Sequence, residues 1–485
     1  MRYAGRTTVP SAVFLVDEAD RNVRFGEGLP LNRLPLPSPA AITSIEDLAA
    51  SLLTELQRAQ PFGPYFLLGK ALGGLVAYEL ASQLLGRDEP VGFLGLIDCP
   101  KPRNLPLRRR SRERVIALAE RYCPEPLPIP LYYFVSDLRS ELEITRAWRA
   151  LVGDSLRVVG CGGALTADVL VDAIAKAPRQ EFLQCAVDQE AYSPLVTLQV
   201  GVSREAPMIF VPGAGGSATA CMSLAQSLRK TTVHSLQPRG FDGIAVPHRT
   251  VQAAAAVYLR AIRRAQPCGP YRLVGHSFGG WIVFELACRL AAEGEHLDPI
   301  VLIDTEAPAP AHAAPRHLGR VAALTKLIGV LEETSEQSMN LTCAELAGLD
   351  YEAQLTRLAQ EMKALGLLPR SGDVNDIRGM VRVFEVNLNT HYVPATRFPG
   401  CAMLLQPAEH WNGTERLEGG CAPETREAWR TYVGHLECAS MPGNHMTMLR
   451  KPHVEAIAGH LSRLWSASAG SETRLPRSPP LGASP

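Results

Sequence analysis

The most informative stretch of the sequence is Gly275-His276-Ser277-Phe278-Gly279-Gly280. An apolar run at residues 271–274 precedes it, and apolar positions at helical spacing follow over residues 281–290. The pattern predicts a strand, a tight turn and a helix. Gly275, His276 and Gly279 would form the turn, with the small residues letting helix and strand approach each other. The sequence therefore predicts that Ser277 is a nucleophile held at the carboxyl edge of a sheet.

The sequence pattern around this turn occurs twice in the chain. Corresponding stretches match at a constant offset of 206 positions, without a gap, across about 40 residues. We therefore expect two tandem copies of one domain. The paired stretches are residues 60–65 with 266–271, 71–74 with 277–280, and 96–98 with 302–304.

The second copy is longer than the first. Trp148 corresponds to Trp429, which leaves about 75 extra residues in the second copy, at about 310–385. Apolar residues at helical spacing over 341–368 predict helices there, in the position of a lid. We expect a truncated first domain without a lid at 1–195, a second domain with a lid at 196–466, and a disordered tail, rich in Ser, Pro and Gly, at 467–485.

Near-continuous apolar runs at residues 208–211, 300–303 and 401–405 alternate with helical patterns. Strands of this kind are typical of parallel sheets that are covered on both faces. With 485 residues and 46% apolar residues, the chain can bury more than one core. The predicted class is α/β, with two tandem domains of mostly parallel sheet flanked by helices.

The net charge argues against two kinds of partner, and the cysteines and the lack of long apolar stretches indicate the compartment. The formal net charge of +0 argues against a broad surface for nucleic acid or anionic membrane. Eleven cysteines without CxxC pairs fit reduced thiols, and no apolar stretch of about 18 residues occurs. Residues 1–10 lack an apolar core of signal-peptide length. We expect a cytoplasmic protein without a metal site, and its oligomeric state stays open.

A serine nucleophile needs a base and a group that orients the base. Asp304 ends the strand after the nucleophile helix, although a helix cap or a turn would also explain an aspartate there. Glu306 is the nearest alternative acid. His445 lies in a loop that follows the last strand and precedes a helix, and the order Ser, Asp, His suits this fold. The remaining histidines considered have the pattern of surface loops: His410, His435 and His453.

Stabilisation of an oxyanion requires two backbone N–H groups. The first is expected from Phe278, directly after the nucleophile. The second is expected from Gly213 or Ala214, in the stretch Val211-Pro212-Gly213-Ala214-Gly215-Gly216. A phosphate cradle is the alternative for this stretch, but it lacks the Lys-Ser/Thr pair and does not fit GxGxxG.

The first copy retains the sequence pattern of the fold but lacks the serine and the histidine of the predicted site. Ala71 occupies the nucleophile position, Asp98 is retained, and the histidine position falls at Gly162 within Cys161-Gly162-Gly163. The loop at residues 16–20 carries carboxylates, which would repel an oxyanion. We predict that this copy is catalytically inactive. Packing on the second copy, docking of a carrier protein, dimerisation or no role at all remain open.

Three separated blocks, residues 210–216, 236–243 and 269–280, carry a resemblance. Over about 206–465 the chain resembles the type I thioesterase domain of nonribosomal peptide and polyketide synthetases, an α/β-hydrolase family. The resemblance implies that Ser277 takes an acyl or peptidyl chain from the phosphopantetheine thiol of a carrier protein, with Asp304 and His445 completing the triad. Water, or an amine or hydroxyl of the chain, then releases it.

The resemblance implies no bound cofactor. The chain has no carrier motif, so the carrier would come from another protein or from an upstream synthetase module. A proofreading thioesterase or a general carboxylesterase is the alternative enzyme. A non-catalytic interaction protein is the alternative of a different class. The first copy fits such a carrier-docking scaffold, whereas the second copy retains every catalytic part.

Overall fold

The computed structural model describes residues 12–17, 31–36, 44–99, 122–135, 141–163, 165–177, 192–203, 205–308, 310, 318–409 and 423–470. The strands within these ranges form two separate sheets. Their apolar strands are buried because helices cover both faces of each sheet.

The first sheet has six strands in the order β2-β1-β3-β4-β5-β6, and every neighbouring pair is parallel. The strands are β1 (Val13–Asp17), β2 (Leu31–Pro35), β3 (Tyr65–Lys70), β4 (Val91–Ile97), β5 (Leu131–Val135) and β6 (Leu156–Gly160). The described helices of this copy are α1 (Ile45–Ala59), α2 (Leu72–Gly86), α3 (Glu141–Val152) and α4 (Ala167–Lys176).

The second sheet repeats this order as β9-β8-β10-β11-β12-β13 and adds β7 antiparallel to β9. Its strands are β7 (Leu195–Gln199), β8 (Met208–Val211), β9 (Val233–Leu236), β10 (Arg272–His276), β11 (Ile300–Ile303), β12 (Phe398–Pro407) and β13 (Val433–Met441). The helices that flank it are α5 (Met222–Ser227), α6 (Val251–Ala265), α7 (Phe278–Ala292), α12 (Pro423–Arg430) and α13 (Val454–Gly470). The predicted class, two tandem mostly parallel α/β domains, is confirmed.

Buried tryptophans occupy the same place in both copies. The indole N–H of Trp148 donates to the carbonyl of Cys99 at 3.1 Å, and that of Trp429 donates to the carbonyl of Thr305 at 2.9 Å. Cys99 and Thr305 are themselves related by the repeat offset of 206 positions. The tryptophan pairing inferred from sequence therefore coincides with the same hydrogen bond in each copy.

Helices fill the connection between β11 and β12, where the lid was predicted. They bury a cluster of their own that includes Leu346, Leu355 and Leu358. The helical pattern at 341–368 is split in two, because Asp350 caps a new helix and leaves Leu349 38% exposed. The four lid helices are α8 (Arg320–Ser335), α9 (Cys343–Ala347), α10 (Tyr351–Ala364) and α11 (Val374–Leu388).

Helix α13 continues to Gly470, past the predicted start of the tail at Ala467. Alanines in this stretch favour continuation of the helix. Residues 471–485, the rest of the predicted tail, lie outside the described residues. Among the described helices, none is both long and apolar enough to cross a bilayer.

The turn before α7 brings helix and strand into direct backbone contact. Ser277 has a φ of 54°, a left-handed conformation that is uncommon for a residue with a side chain. A Cβ added to Gly279 would lie 2.3 Å from the carbonyl oxygen of Val211. The first copy shows the same geometry: Ala71 has a φ of 50°, and a Cβ on Gly73 would lie 2.2 Å from a β1 carbonyl. Both copies therefore require glycine two positions after the turn residue.

Replacement of Gly279 tests this constraint. We expect Gly279→Ala to lower the free energy of unfolding by about 2 kcal/mol or more, because two backbone carbonyls cannot move away from the added methyl group. Gly459→Ala in α13 is the matched control, since its Cβ would meet a side-chain atom of Arg463 at 3.6 Å, an ordinary contact. The control should gain about 0.5–1 kcal/mol. Thermal unfolding of both variants measures the difference, and equal melting temperatures would contradict the constraint.

Candidate active site

Ser277 lies between β10 and α7, at the carboxyl end of its strand. Its backbone N–H donates to the carbonyl of Ile303 at 2.8 Å, which fixes the turn against β11. The first N–H groups of α7 have no partner within the helix, and they give the helix start a positive partial charge. The serine side chain is thus placed where an attacking oxygen would be next to backbone donors.

Asp304 and His445, separated by 141 residues in sequence, are in direct contact. His445 Nδ1 lies 2.7 Å from Asp304 Oδ2. Because the carboxylate accepts, Nδ1 carries the proton, and Nε2 is left as the basic nitrogen. Asp304 has a φ of 40°, and its N–H donates to the carbonyl of Leu405 at 2.7 Å, so the residue is held at the carboxyl edge of the sheet.

Within the described part of the chain, no hydrogen bond joins the Ser277 hydroxyl to the His445 ring. Catalytic hydrogen bonds are often long in the absence of substrate and tighten on binding. Glu306, the alternative acid, has an exposed side chain, and its carbonyl accepts from the Trp281 indole at 2.8 Å.

His276 supports the loop of His445. Its Nε2–H donates to the carbonyl of His445 at 3.0 Å, and the two ring centroids are 4.7 Å apart. Burial, together with the neighbouring His445, lowers the pKa of His276 to about 3. The ring is therefore neutral at physiological pH. The sequence pattern predicts His276 in the elbow, but its contact with the His445 loop depends on packing between segments 169 residues apart.

Asn444 shapes the same loop from within. Its side-chain oxygen accepts from the backbone N–H groups of Met446 and Thr447 at 3.0 and 2.8 Å. Gly443 precedes it with a φ of 88°. These contacts build the turn that Gly443 and Asn444 predict, and they present the His445 ring to Asp304.

The glycine-rich stretch after β8 lies against the nucleophile. A Cβ on Gly213 would be 3.2 Å from Ser277 Cβ. Ala214 packs against the lid cluster, and a Cβ on Gly215 would be 2.9 Å from the ring of Phe384 in α11. Of the candidates for the oxyanion hole, Gly213 thus lies against Ser277, Phe278 follows it directly in the chain, and Ala214 contacts the lid.

A lid carboxylate reaches the site without a signal in the sequence. Glu333 of α8 lies close enough to His445 and Asp304 to interact with both electrostatically. Burial raises the pKa of the Glu333 carboxyl, and its Oε1 is buried without a hydrogen-bond partner. The residue is one of several glutamates in the lid helices, and its position becomes visible once α8 packs on the histidine loop.

The family follows from both copies. The model of the thioesterase domain family matches residues 29–147 and 206–464, which is more than half of the chain. The chain belongs to the thioesterase domain family. The resemblance to thioesterase domains of nonribosomal peptide and polyketide synthetases is confirmed, and the thioesterase match includes a segment in each copy.

The chain is similar to parts of much longer proteins. The nonribosomal peptide synthetase apvA of Aspergillus terreus (strain NIH 2624 / FGSC A1156) is 32% identical over 169 residues, 35% of this chain and 18% of the relative. Chondramide synthase cmdD of Chondromyces crocatus is 25% identical over 311 residues, 61% of this chain and 8% of the relative. The inactive atromentin synthetase invA6 of Paxillus involutus is 27% identical over 286 residues, 56% of this chain and 28% of the relative. The chain spans less than a third of each.

Solved structures are similar at lower identity. A four-domain nonribosomal peptide synthetase, holo-AB3403 bound to AMP and glycine, matches with a TM-score of 0.47 and 20% identity, over 61% of this chain and 22% of that chain. The Vlm2 thioesterase domain matches with a TM-score of 0.40 and 22% identity, over 56% of this chain and 96% of that chain.

The site of the first copy retains the backbone conformation of the second. Asp98 has a φ of 44°, and its N–H donates to a carbonyl of β5 at 3.2 Å, as Asp304 does towards β12. Cys161 interacts with Asp98, and burial raises the pKa of its thiol. A Cβ on Gly162 would have open space around it. Residues 18–20 of the predicted acidic loop lie outside the described residues, and Asp17 ends β1.

Among the described residues, no group of three His, Cys, Asp or Glu side chains is arranged to hold a metal ion.

The buried neutral His276 predicts a pH dependence of stability. Below pH 6.5 the unfolded chain binds a proton that the native ring excludes, so the free energy of unfolding decreases as the pH falls. Between pH 7 and 5 this group contributes a loss of about 2 kcal/mol. His276→Gln should lose that much less than wild type in urea unfolding at the two pH values. His435→Asn, at an exposed position, is the control, and equal losses in all three proteins would refute the prediction.

Proposed function

We propose that the second copy is a serine thioesterase that releases an acyl or peptidyl chain from the phosphopantetheine thioester of a carrier protein in natural-product biosynthesis. The observation that carries the proposal is the 2.7 Å contact of His445 with Asp304 at the sheet edge where Ser277 occupies the elbow. A histidine oriented in this way can act as a general base for a serine hydroxyl.

In this mechanism Ser277 Oγ attacks the thioester carbonyl while His445 Nε2 takes its proton. The tetrahedral oxyanion accepts hydrogen bonds from the N–H of Phe278 and from that of Gly213 or Ala214. When the intermediate collapses, the carbon–sulfur bond breaks and the thiol leaves with the proton from His445. The chain remains as an ester on Ser277.

Release of the ester repeats the proton transfer with a second nucleophile. His445 deprotonates either water, which gives a free acid, or an amine or hydroxyl of the chain itself, which gives a ring. The serine oxygen then leaves and regains its proton. The apolar lid cluster above the Gly213–Gly216 stretch would shield an acyl chain from water.

The carrier is proposed to come from another protein or from an upstream synthetase module. The relatives are synthetases and synthases by name, and the chain spans 18%, 8% and 28% of the three described above. No cofactor is required by the proposed steps, since phosphopantetheine arrives attached to the carrier.

A proofreading thioesterase or a general carboxylesterase would use the same residues. Turnover distinguishes them, because a release enzyme should favour carrier-bound chains over p-nitrophenyl esters and over short mischarged acyl groups. Mass spectrometry of the product from a chain-loaded carrier would separate hydrolysis from cyclisation. A role as a docking scaffold remains a proposal for the first copy.

Ser277→Ala tests the nucleophile. We expect a fluorophosphonate probe to label the wild-type chain and not the variant, and turnover to fall by about 10³-fold or more. Ala71 shows that an alanine with a φ of 50° is compatible with this turn, so the variant should keep its fold.

Ala71→Ser is the matched control for the probe. It places a serine in the equivalent turn of the first copy, where Gly162 stands at the histidine position, and it should add no second labelled site. Persistent labelling in Ser277→Ala would overturn the assignment of the nucleophile.

Asp304→Asn tests the orienting acid. Asparagine tolerates a positive φ and keeps the side-chain size, but its amide favours the wrong tautomer of His445. We expect kcat to fall by about 10²- to 10⁴-fold with an unchanged melting temperature. Asp98→Asn in the first copy, at a φ of 44°, should retain full turnover. An unaffected rate in Asp304→Asn would point to another acid.

A further inference from the structure

The first copy contacts the lid of the second copy through the carboxylate of Glu125. Arg382 of α11 pairs with this carboxylate through its Nε. Arg320 of α8 approaches it to 3.5 Å, and the Tyr351 hydroxyl of α10 donates to it at 3.4 Å. A single side chain of the first copy therefore joins three of the lid helices.

The surroundings make this contact costly to break. Arg382 is 4% exposed, and its Nη2 also donates to the carbonyl of Pro126 at 3.3 Å. The guanidinium of Arg320 stacks over the Tyr351 ring at 4.0 Å. A buried arginine without its counter-charge strongly destabilises the packing around it. The position of the lid therefore depends on Glu125.

The segment that carries Glu125 is tied to the first copy. The hydroxyl of Tyr78, in α2, donates to the carbonyl of Glu125 at 2.7 Å. Tyr122 donates to the buried Glu79 of the same helix at 3.0 Å. The segment of Glu125 is thus held in place by α2, the helix that follows Ala71.

The first copy also holds the body of the second copy, away from the lid. Arg239 pairs with Asp88 at 2.9 Å and donates to the carbonyl of Leu85 at 2.8 Å. Arg249 pairs with Glu79 at 3.1 Å. These arginines belong to the segment between β9 and α6, so the first copy has a second anchor that does not lie in the lid helices themselves.

Helix α11 connects the lid contact to the active site. A Cβ on Gly379 would lie 2.0 Å from the carbonyl oxygen of Phe241, so this helix packs directly on the segment after β9. Phe384, two residues after Arg382, lies against Gly215 of the oxyanion stretch. A displacement of α11 would therefore move the wall next to Ser277.

We propose that the first copy functions as an intramolecular clamp, which grips the body of the second copy through Arg239 and Arg249 and holds the lid against it through Glu125. The loss of the catalytic parts from the first copy is compatible with this function, because the contacts come from α2, from Asp88 just after it and from residues 122–126. The partner of this interaction surface is the lid of the same chain.

Hydrogen exchange of the full chain tests the clamp. In Glu125→Gln we expect the backbone amides of α8, α10 and α11 to exchange at least about tenfold faster than in wild type, because Arg382 loses its counter-charge. The amides of β8, β10 and β11 should exchange at the wild-type rate. The measurement needs no substrate, so its outcome is independent of whether Ser277 is the nucleophile.

Asp88→Asn is the matched control. Asp88 is a carboxylate of the first copy that pairs with Arg239 and Arg260 of the second copy without contacting the lid helices. Its φ of 65° suits asparagine. Exchange in the lid should change less in this variant than in Glu125→Gln, because Arg249 still pairs with Glu79 and Glu125 still contacts the lid. Equal acceleration of the lid in both variants would overturn a clamp that acts through Glu125.

Wild-type exchange of the lid in a folded Glu125→Gln chain would also overturn the proposal. Should that variant fail to fold, Tyr351→Phe decides, because it removes one hydrogen bond to Glu125 and leaves no buried charge unpaired. We expect its α10 amides to exchange about threefold faster. Wild-type rates there would likewise reject the clamp.

Discussion

The strand-to-helix turn at Ser277 is the constraint on which the site depends. Direct contact between α7 and β8 leaves no room for a Cβ at Gly279, and the turn residue is held at a positive φ. The same turn, with Ala71 in place of serine, persists in a copy that we propose to be inactive. The turn is therefore a requirement of packing, and the chemistry of Ser277 is added to it.

Around this common frame, equivalent polar residues have acquired different partners. Glu285 of α7 accepts from Tyr392 at 2.9 Å and pairs with Arg289 at 2.8 Å, all within the second copy. Its counterpart Glu79 accepts from Tyr122 but pairs with Arg249 of the other copy. A buried carboxylate needs a partner, and in the first copy that need is met across the interface.

Much of the fold could be read from local patterns. The strands at 208–211 and 300–303 occur at the expected residues, and the helix after Ser277 extends the predicted one at both ends. Patterns failed where a cap or a propensity intervened. Asp350 divides the predicted helical stretch of the lid, and the alanines after residue 466 prolong α13. Capping hydrogen bonds and helix propensity determine where such helices begin and end, and hydrophobic periodicity carries no information about either.

The tandem repeat, the elbow and the candidate residues Ser277, Asp304 and His445 can be predicted from the amino-acid sequence, because glycine spacing, apolar runs and chain order are local or additive signals. Which side chains contact each other depends on the packing of distant elements. The 2.7 Å contact of Asp304 with His445 spans 141 residues. The contacts of Glu333 with the histidine loop and of Glu125 with the lid arise from packing between distant elements, and no spacing along the chain encodes them.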